Sequence, residues 1–297
     1  MRELHGVICA SLTPFTSNVG PVDYAWFGGH LRFLEQHGIN GVLLLGTTGE
    51  GPSLAFSERQ QVLDTVLDER GDLAVIAGTG CAALPETIAL SRYALERGAD
   101  AVLVMPPFYF KGVTEAGMLQ YYRAVCDALP SDARLLLYHI PSVTAVPITP
   151  LIIEGLLASH GSQLYGLKDS SGDIQHTTQL IQRYPQLHIF SGSDTQLAHA
   201  LAAGAAGVIT ALSNVWPDVT RAVFDAHHQG GDVIAPQLRL TAIRQLIPDP
   251  TPPALKAALP WRSDLPRVSV RAPLVNLDDD VAAILRLALA ERAACEA

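Results

Sequence analysis

The sequence predicts an α/β protein, a (β/α)8 TIM barrel with a C-terminal helical extension. Three observations carry this expectation. Eight short apolar segments between Gly6 and Leu212 each give way to a stretch with apolar residues at helical spacing. Those segments are continuous rather than alternating, as in parallel strands covered on their outer face. No Gly-x-Gly-x-x-Gly follows the first segment, which weighs against an open doubly wound sheet, the other fold with this rhythm.

In order, Gly6 to Phe15 reads as a strand ending in Thr13-Pro14, and Asp23 to His37 as a helix closed by Gly38. Gly41 to Leu45 is the second strand, and Ser57 opens its helix with Gln60 as a capping-box partner. Leu73 to Ala77 is the third, followed by a helix from Pro85 to Arg97 with Gly98 past its end. Ala101 to Met105, stopped by Pro106-Pro107, precedes a helix over Thr114 to Ala128. Arg134 to Ile140, stopped by Pro141, precedes a helix over Thr149 to Ser159. The sixth strand starts at Leu164, the seventh is His188 to Phe190 with a helix through Ala203, and the eighth is Gly207 to Leu212 with a helix over Pro217 to His228. Beyond Gly230 only helical patterns remain: Asp232 to Leu246, Ala254 to Ala258 and Asp278 to Ala294. The division is therefore a barrel over 1–228 and an extension over 229–297.

The 297 residues are 48% hydrophobic and 16% charged, which suits one large globular unit. No apolar run reaches the ~20 residues that span a bilayer, and the start runs straight into a strand without a signal-peptide core. The expectation is a cytoplasmic protein. A net charge of −9 argues against nucleic acid and anionic membranes as partners. Cys9, Cys81, Cys126 and Cys295 are widely spaced, with no CxxC pair, and read as buried thiols.

The chemistry centres on Gly166-Leu167-Lys168-Asp169-Ser170-Ser171-Gly172-Asp173, an apolar strand that ends in a lysine and turns into a helix. Lysines are scarce: only Lys111, Lys168 and Lys256 stand among the 20 basic residues. Burial on a core strand penalises an ammonium relative to the free amine, and a free amine attacks a ketone to form a Schiff base. The bland reading is a lysine that reaches the strand end or pairs with Asp169.

The other strand ends offer hydroxyls and turn glycines, where a barrel gathers its functional groups. Gly46-Thr47-Thr48-Gly49-Glu50-Gly51 is a turn whose backbone amides suit a carboxylate, although taken alone it is a common glycine turn. Tyr138, one strand from Lys168, can donate and accept a proton, or be a core tyrosine with a satisfied hydroxyl. His139 should face the opposite way. No converging set of metal ligands can be assembled, so a metal site is disfavoured.

These motifs in combination resemble the dihydrodipicolinate synthase / N-acetylneuraminate lyase family of class I aldolases, nearly end to end. The resemblance rests on Gly46-Thr47-Thr48-Gly49-Glu50, Tyr138-His139-Ile140-Pro141-Ser142 and the lysine segment. It implies a barrel assembled as a homotetramer, a dimer of dimers. It implies that Lys168 forms the imine with pyruvate or another 2-oxo acid, with no separate cofactor. Tyr138 and Thr47 take the proton relay, and Tyr109 joins it across a dimer interface. Thr48, Gly49, Gly192 and Ile209 lie at the substrate.

One position departs from the family pattern. Where true dihydrodipicolinate synthases carry an arginine for the aldehyde's carboxylate, this chain has Val143, which cannot make that ion pair. The expected activity is therefore reversible cleavage of a 2-keto-3-deoxy sugar acid or other 4-hydroxy-2-oxo acid to pyruvate and an aldehyde. The alternatives are a keto-deoxy sugar acid dehydratase, 4-hydroxy-tetrahydrodipicolinate synthase itself, or a non-catalytic 2-oxo acid sensor.

Overall fold

The computed structural model describes residues 1–294. Eight strands run in sequence order: β1 Gly6–Ala10, β2 Gly41–Leu44, β3 Ala74–Gly78, β4 Ala101–Val104, β5 Leu135–His139, β6 Leu164–Asp169, β7 His188–Ser191 and β8 Gly207–Thr210. Each pairs in parallel with its neighbours, and β1 pairs with β8, from Gly6↔Gly207 to Cys9↔Thr210. The sheet is thus a closed barrel, and the open doubly wound alternative is excluded.

Closure explains the continuous apolar runs. Ile8, Leu43, Ile76, Leu103, Leu136, Phe190 and Ile209 fill the barrel interior. Their strand neighbours, such as Val7, Cys9, Val42, Leu44, Val75 and Val102, face outward under the helices. Apart from strand-end positions such as the exposed His188, the strands are buried on both faces, where a polar side chain generally needs a partner.

The helical layer comprises α1 Trp26–Gln36, α2 Phe56–Glu69, α3 Leu84–Glu96, α4 Glu115–Asp127, α5 Pro141–Thr144, α6 Pro150–His160, α7 Ile174–Arg183, α8 Leu197–Ala203 and α9 Pro217–His228. The extension adds α10 Ile234–Leu246, which lies against α9, then α11 Thr251–Ala258 and α12 Asp279–Ala294. No helix among the described residues is long and apolar enough to cross a membrane.

Three local expectations change. β1 stops at Ala10 rather than Phe15, because the Asn214 side chain accepts from Leu12 N (3.0 Å) and donates to Ala10 O (2.8 Å), taking the strand's end out of the ladder. The start of α2 is capped by Glu58, which accepts from Ala55 N at 2.9 Å, and not by Ser57 with Gln60. The short α5 was not expected. Pro141 suits a first helical turn, and Ala145, at φ +53°, ends it after four residues.

Cys9, Cys81 and Cys126 are buried and free, as the spacing suggested. Burial pushes the Cys9 and Cys126 thiols up to about 12, which keeps them unreactive. Cys295 lies outside the described residues.

Candidate active site

The site is built where β5, β6 and β7 reach the C-terminal mouth. Their register sets Tyr138 beside Lys168 and Lys168 beside Phe190. Tyr138 and Phe190 belong to the interior cluster, so Lys168 also points into the barrel and is only 5% exposed. Its Nζ lies 3.4 Å from Tyr138 Oη and 4.5 Å from the centre of the Tyr138 ring. Thr47 Oγ1 approaches the same phenol oxygen at 3.5 Å. Amine, phenol and alcohol therefore form a chain across the mouth.

The electrostatics favour a phenol that can lose its proton. Burial alone would raise the Tyr138 pKa. The positive charge of Lys168 and the hydroxyls of Thr47 and Ser170 outweigh it and hold the group below the ordinary phenol value.

The turn after β2 is shaped by close approach. A Cβ on Gly49 would sit 2.8 Å from Ser11 O, and one on Gly51 2.0 Å from Leu45 O. Glu50 takes a left-handed conformation, φ +52°. Such strain in a non-glycine residue persists only when its surroundings enforce it. Here the enforcing group is Lys256 of α11. Its Nζ donates to Glu50 Oε1 (2.5 Å), Thr13 O (2.6 Å) and Ser269 O (2.8 Å), which uses all three of its protons. The other Glu50 oxygen accepts from Arg271 N at 2.8 Å. Lys256 and Glu50 are each 1% exposed. The extension therefore clamps the loop that carries Thr47 and Thr48.

The remaining expected residues divide into those at the mouth and those away from it. Ile209 is fully buried in the barrel interior, and Thr48 is buried in the loop. Val143, on α5, lines a cavity of about 340 Å³ that opens above Thr47 and Tyr138. Gly192 donates to Asp169 O at 2.7 Å and borders a separate polar cavity of about 350 Å³ with Ser170, Ser193, Asp194 and Arg244. Its place cannot take a Cβ, which would fall 2.0 Å from Ser170 Oγ. Tyr109 does not join the group within one chain. It is 74% exposed at the rim, its ring edge-on to Phe110.

Two supporting residues escaped the sequence reading. One is Lys256. The other is Lys111, whose Nζ bridges Phe108 O and Thr144 O and so ties the β4 loop to α5. The scarcity of lysine, which singled out Lys168, was the signal for both.

The sequence offered no converging metal ligands, but the structure brings His139, Asp169 and His176 together, with one ligand atom of each within 4.8 Å of the others. His139 and Asp169 end β5 and β6 on the outer face, opposite Lys168, as strand alternation requires, and His176 comes from α7, which packs over them. The ligand atoms of His139 and Asp169 already accept hydrogen bonds from the protein. His139 Nδ1 accepts from Ile148 N at 3.1 Å, so its neutral ring carries the proton on Nε2. Asp169 accepts from Ser171 N, Thr177 Oγ1 and His176 Nδ1. Burial would raise the Asp169 carboxyl, but these donors hold it low. The group braces the end of β6 against α7, directly behind the lysine.

Comparison with known proteins agrees with this geometry. Residues 3–291 match the model of the dihydrodipicolinate synthetase family. An uncharacterised DapA-like lyase of Chloroflexus aurantiacus is 63% identical over 289 residues, covering 97% of each chain. A 4-hydroxy-tetrahydrodipicolinate synthase of Desulfotalea psychrophila is 33% identical over 298 residues, again covering 97% of each. Among solved structures, YagE, a prophage protein of the dihydrodipicolinic acid synthase family from E. coli K12 in complex with pyruvate, superposes with a TM-score of 0.90 at 27% identity. That match covers 98% of this chain and 99% of YagE. The chain therefore belongs to the dihydrodipicolinate synthetase family and has the lyase barrel that this family shares.

Proposed function

We propose that the protein is a Schiff-base lyase that reversibly cleaves a 4-hydroxy-2-oxo acid, such as a 2-keto-3-deoxy sugar acid, to pyruvate and an aldehyde. The observation that carries this reading is the placement of Lys168 Nζ 3.4 Å from Tyr138 Oη on adjacent strands inside the barrel. The structural neighbour YagE was solved in complex with pyruvate, which supports a 2-oxo acid as the first ligand.

The steps assign each group one task. The Lys168 amine adds to the C2 ketone, and the carbinolamine loses water to give the imine. Tyr138 supplies and removes the protons of that step, with Thr47 passing them on. Tyr138, as phenolate, then takes the proton of the C4 hydroxyl. The C3–C4 bond breaks, the aldehyde leaves, and its electron pair remains as an enamine on the imine carbon skeleton. Protonation at C3 and addition of water release pyruvate and restore the amine. The loop at Thr47 and Thr48 holds the substrate carboxylate, with Gly49 and Ile209 against the pyruvate half. The covalent imine serves in place of a cofactor. Tyr109 acts in the site of a neighbouring subunit, within a homotetramer.

A second reading is 4-hydroxy-tetrahydrodipicolinate synthase, the name of relatives such as the Desulfotalea psychrophila protein. Val143 speaks against it, because a valine on α5 offers no charge to the carboxylate of the aldehyde substrate. Dehydration through the same imine is a close variant.

The test is borohydride reduction in the presence of pyruvate, followed by peptide mass analysis. A reduced adduct on Lys168 is expected, and an unmodified Lys168 defeats the proposal. Tyr138→Phe should lower kcat about 10²- to 10⁴-fold, the usual contribution of a positioned acid-base group. A retro-aldol assay coupled to lactate dehydrogenase reports it and separates an enzyme from a sensor.

A further inference from the structure

The inner pair at the ends of β5 and β6 has an outer counterpart one residue on. Tyr138 and Lys168 are register partners and face the barrel interior. His139 and Asp169 are the next register partners and face outward. Inside, the pair meets directly, Lys168 Nζ to Tyr138 Oη at 3.4 Å. Outside, the pair is joined by a third residue, His176 of α7. Its Nδ1 lies 2.9 Å from Asp169 Oδ2, and its ring stacks on His139 with centres 4.7 Å apart.

The sequence places His176 for this contact. Asp173 caps α7 by accepting from Gln175 N at 2.8 Å, which fixes where the helix begins. His176 and Thr177 then fall in its first turn, and both donate to Asp169 Oδ2, Thr177 Oγ1 at 2.7 Å. The other Asp169 oxygen accepts from Ser171 N at 3.0 Å. On the β5 side, His139 Nδ1 accepts from Ile148 N at 3.1 Å. Asp169 and His139 are buried, so water does not stand in for a lost partner.

The outer group acts on the inner one through the backbone. Successive side chains of a strand hang from one peptide unit, so a shift of the outer pair swings the inner pair with it. We propose that His176 is a positioning residue for the Schiff-base step, its bridge from Asp169 to His139 setting the strand separation at which Lys168 Nζ meets Tyr138 Oη. The inference rests on the aldolase reading above. A displacement of ~1 Å between reacting groups can cost about 10²-fold in rate.

The experiment uses the full chain and follows the pyruvate half alone, so the identity of the aldehyde does not enter. In D2O the imine of pyruvate on Lys168 loses a C3 proton, and that electron pair forms the enamine. The enamine takes back a deuteron and returns its electron pair to the imine. Loss of the pyruvate methyl signal in proton NMR gives the maximal exchange rate and the half-saturating pyruvate concentration. Borohydride trapping with pyruvate runs in parallel. His176→Leu removes both the donor and the ring, whereas His176→Asn keeps a donor, because Asn Nδ2 stands where His Nδ1 does.

His176→Leu should exchange at least about tenfold more slowly at saturating pyruvate, with half-saturation within about twofold of the parent and the adduct still on Lys168. His176→Asn should recover most of the rate. Thr177→Val, which cuts the second donor to the same oxygen, should fall in the same direction and carries the test if the leucine variant does not fold. A parent that forms the adduct without exchange transfers the comparison to the trapping rate. Parental rates in folded His176→Leu overturn the bridge and leave the aldolase reading standing. Equal losses in the Leu and Asn variants also overturn it, since the donor would then not matter. No adduct on Lys168 in the parent overturns the aldolase reading and this inference with it.

Discussion

At the scale of single residues, the buried charges at the mouth set the pH behaviour. Asp194 follows β7 and is buried, which pushes its carboxyl from 3.8 up to about 6 despite the opposing influence of Thr210 and Arg244. The folded protein therefore holds this proton more tightly than the unfolded chain does. The resulting stability is complete below about pH 4 and is lost as pH rises through about 6. Asp194→Asn, which cannot ionise, should match the parent at pH 4 and exceed it by about 3 kcal/mol at pH 7. Denaturant melts at the two pH values check this, and equal differences at both would contradict it. The sequence made Lys168, Tyr138 and Thr47 legible because each stands where an apolar run stops. The orientation of Val143 was not legible, because it depends on α5, a four-residue helix with no periodicity to read. Tyr109 was assigned from resemblance, and one chain alone leaves it at the rim.

Among elements, α11 matters most for the site although it lies about ninety residues beyond the lysine strand. Lys256→Met would leave the Glu50 carboxylate 1% exposed without its ammonium partner. Breaking one half of such a buried pair typically costs about 3–5 kcal/mol. The Lys256→Met/Glu50→Gln pair should recover much of that loss, since no uncompensated charge remains. Denaturant unfolding of the three variants measures it, and additive losses in the double variant would show that the two side chains do not act as a pair. Helical spacing found α11, but its short prediction, Ala254 to Ala258, said nothing about where its lysine reaches. That contact spans 206 residues of sequence and is invisible to any local pattern. The end of β1 was misjudged for the same reason, since Asn214 truncates it from the far side of the barrel.

For the molecule as a whole, the alternation of strands and helices was enough to predict the barrel, because a parallel sheet buried on both faces leaves an unmistakable run of apolar residues. The assembly of subunits has no such signature in the described chain. The positions of the three lysines have a practical consequence. Lys168 and Lys256 are buried, which leaves Lys111 as the accessible side-chain amine, at the rim of the active end. The α-amino group of Met1 precedes β1, at the opposite pole. Attachment to an aldehyde resin at high pH should therefore engage Lys111 and press the entrance against the support. Attachment near neutral pH, where α-amines as a class react ahead of lysine side chains, should leave the entrance open. Comparing turnover per bound molecule after the two couplings reads this directly, and equal turnover would place Lys111 away from the path of the substrate.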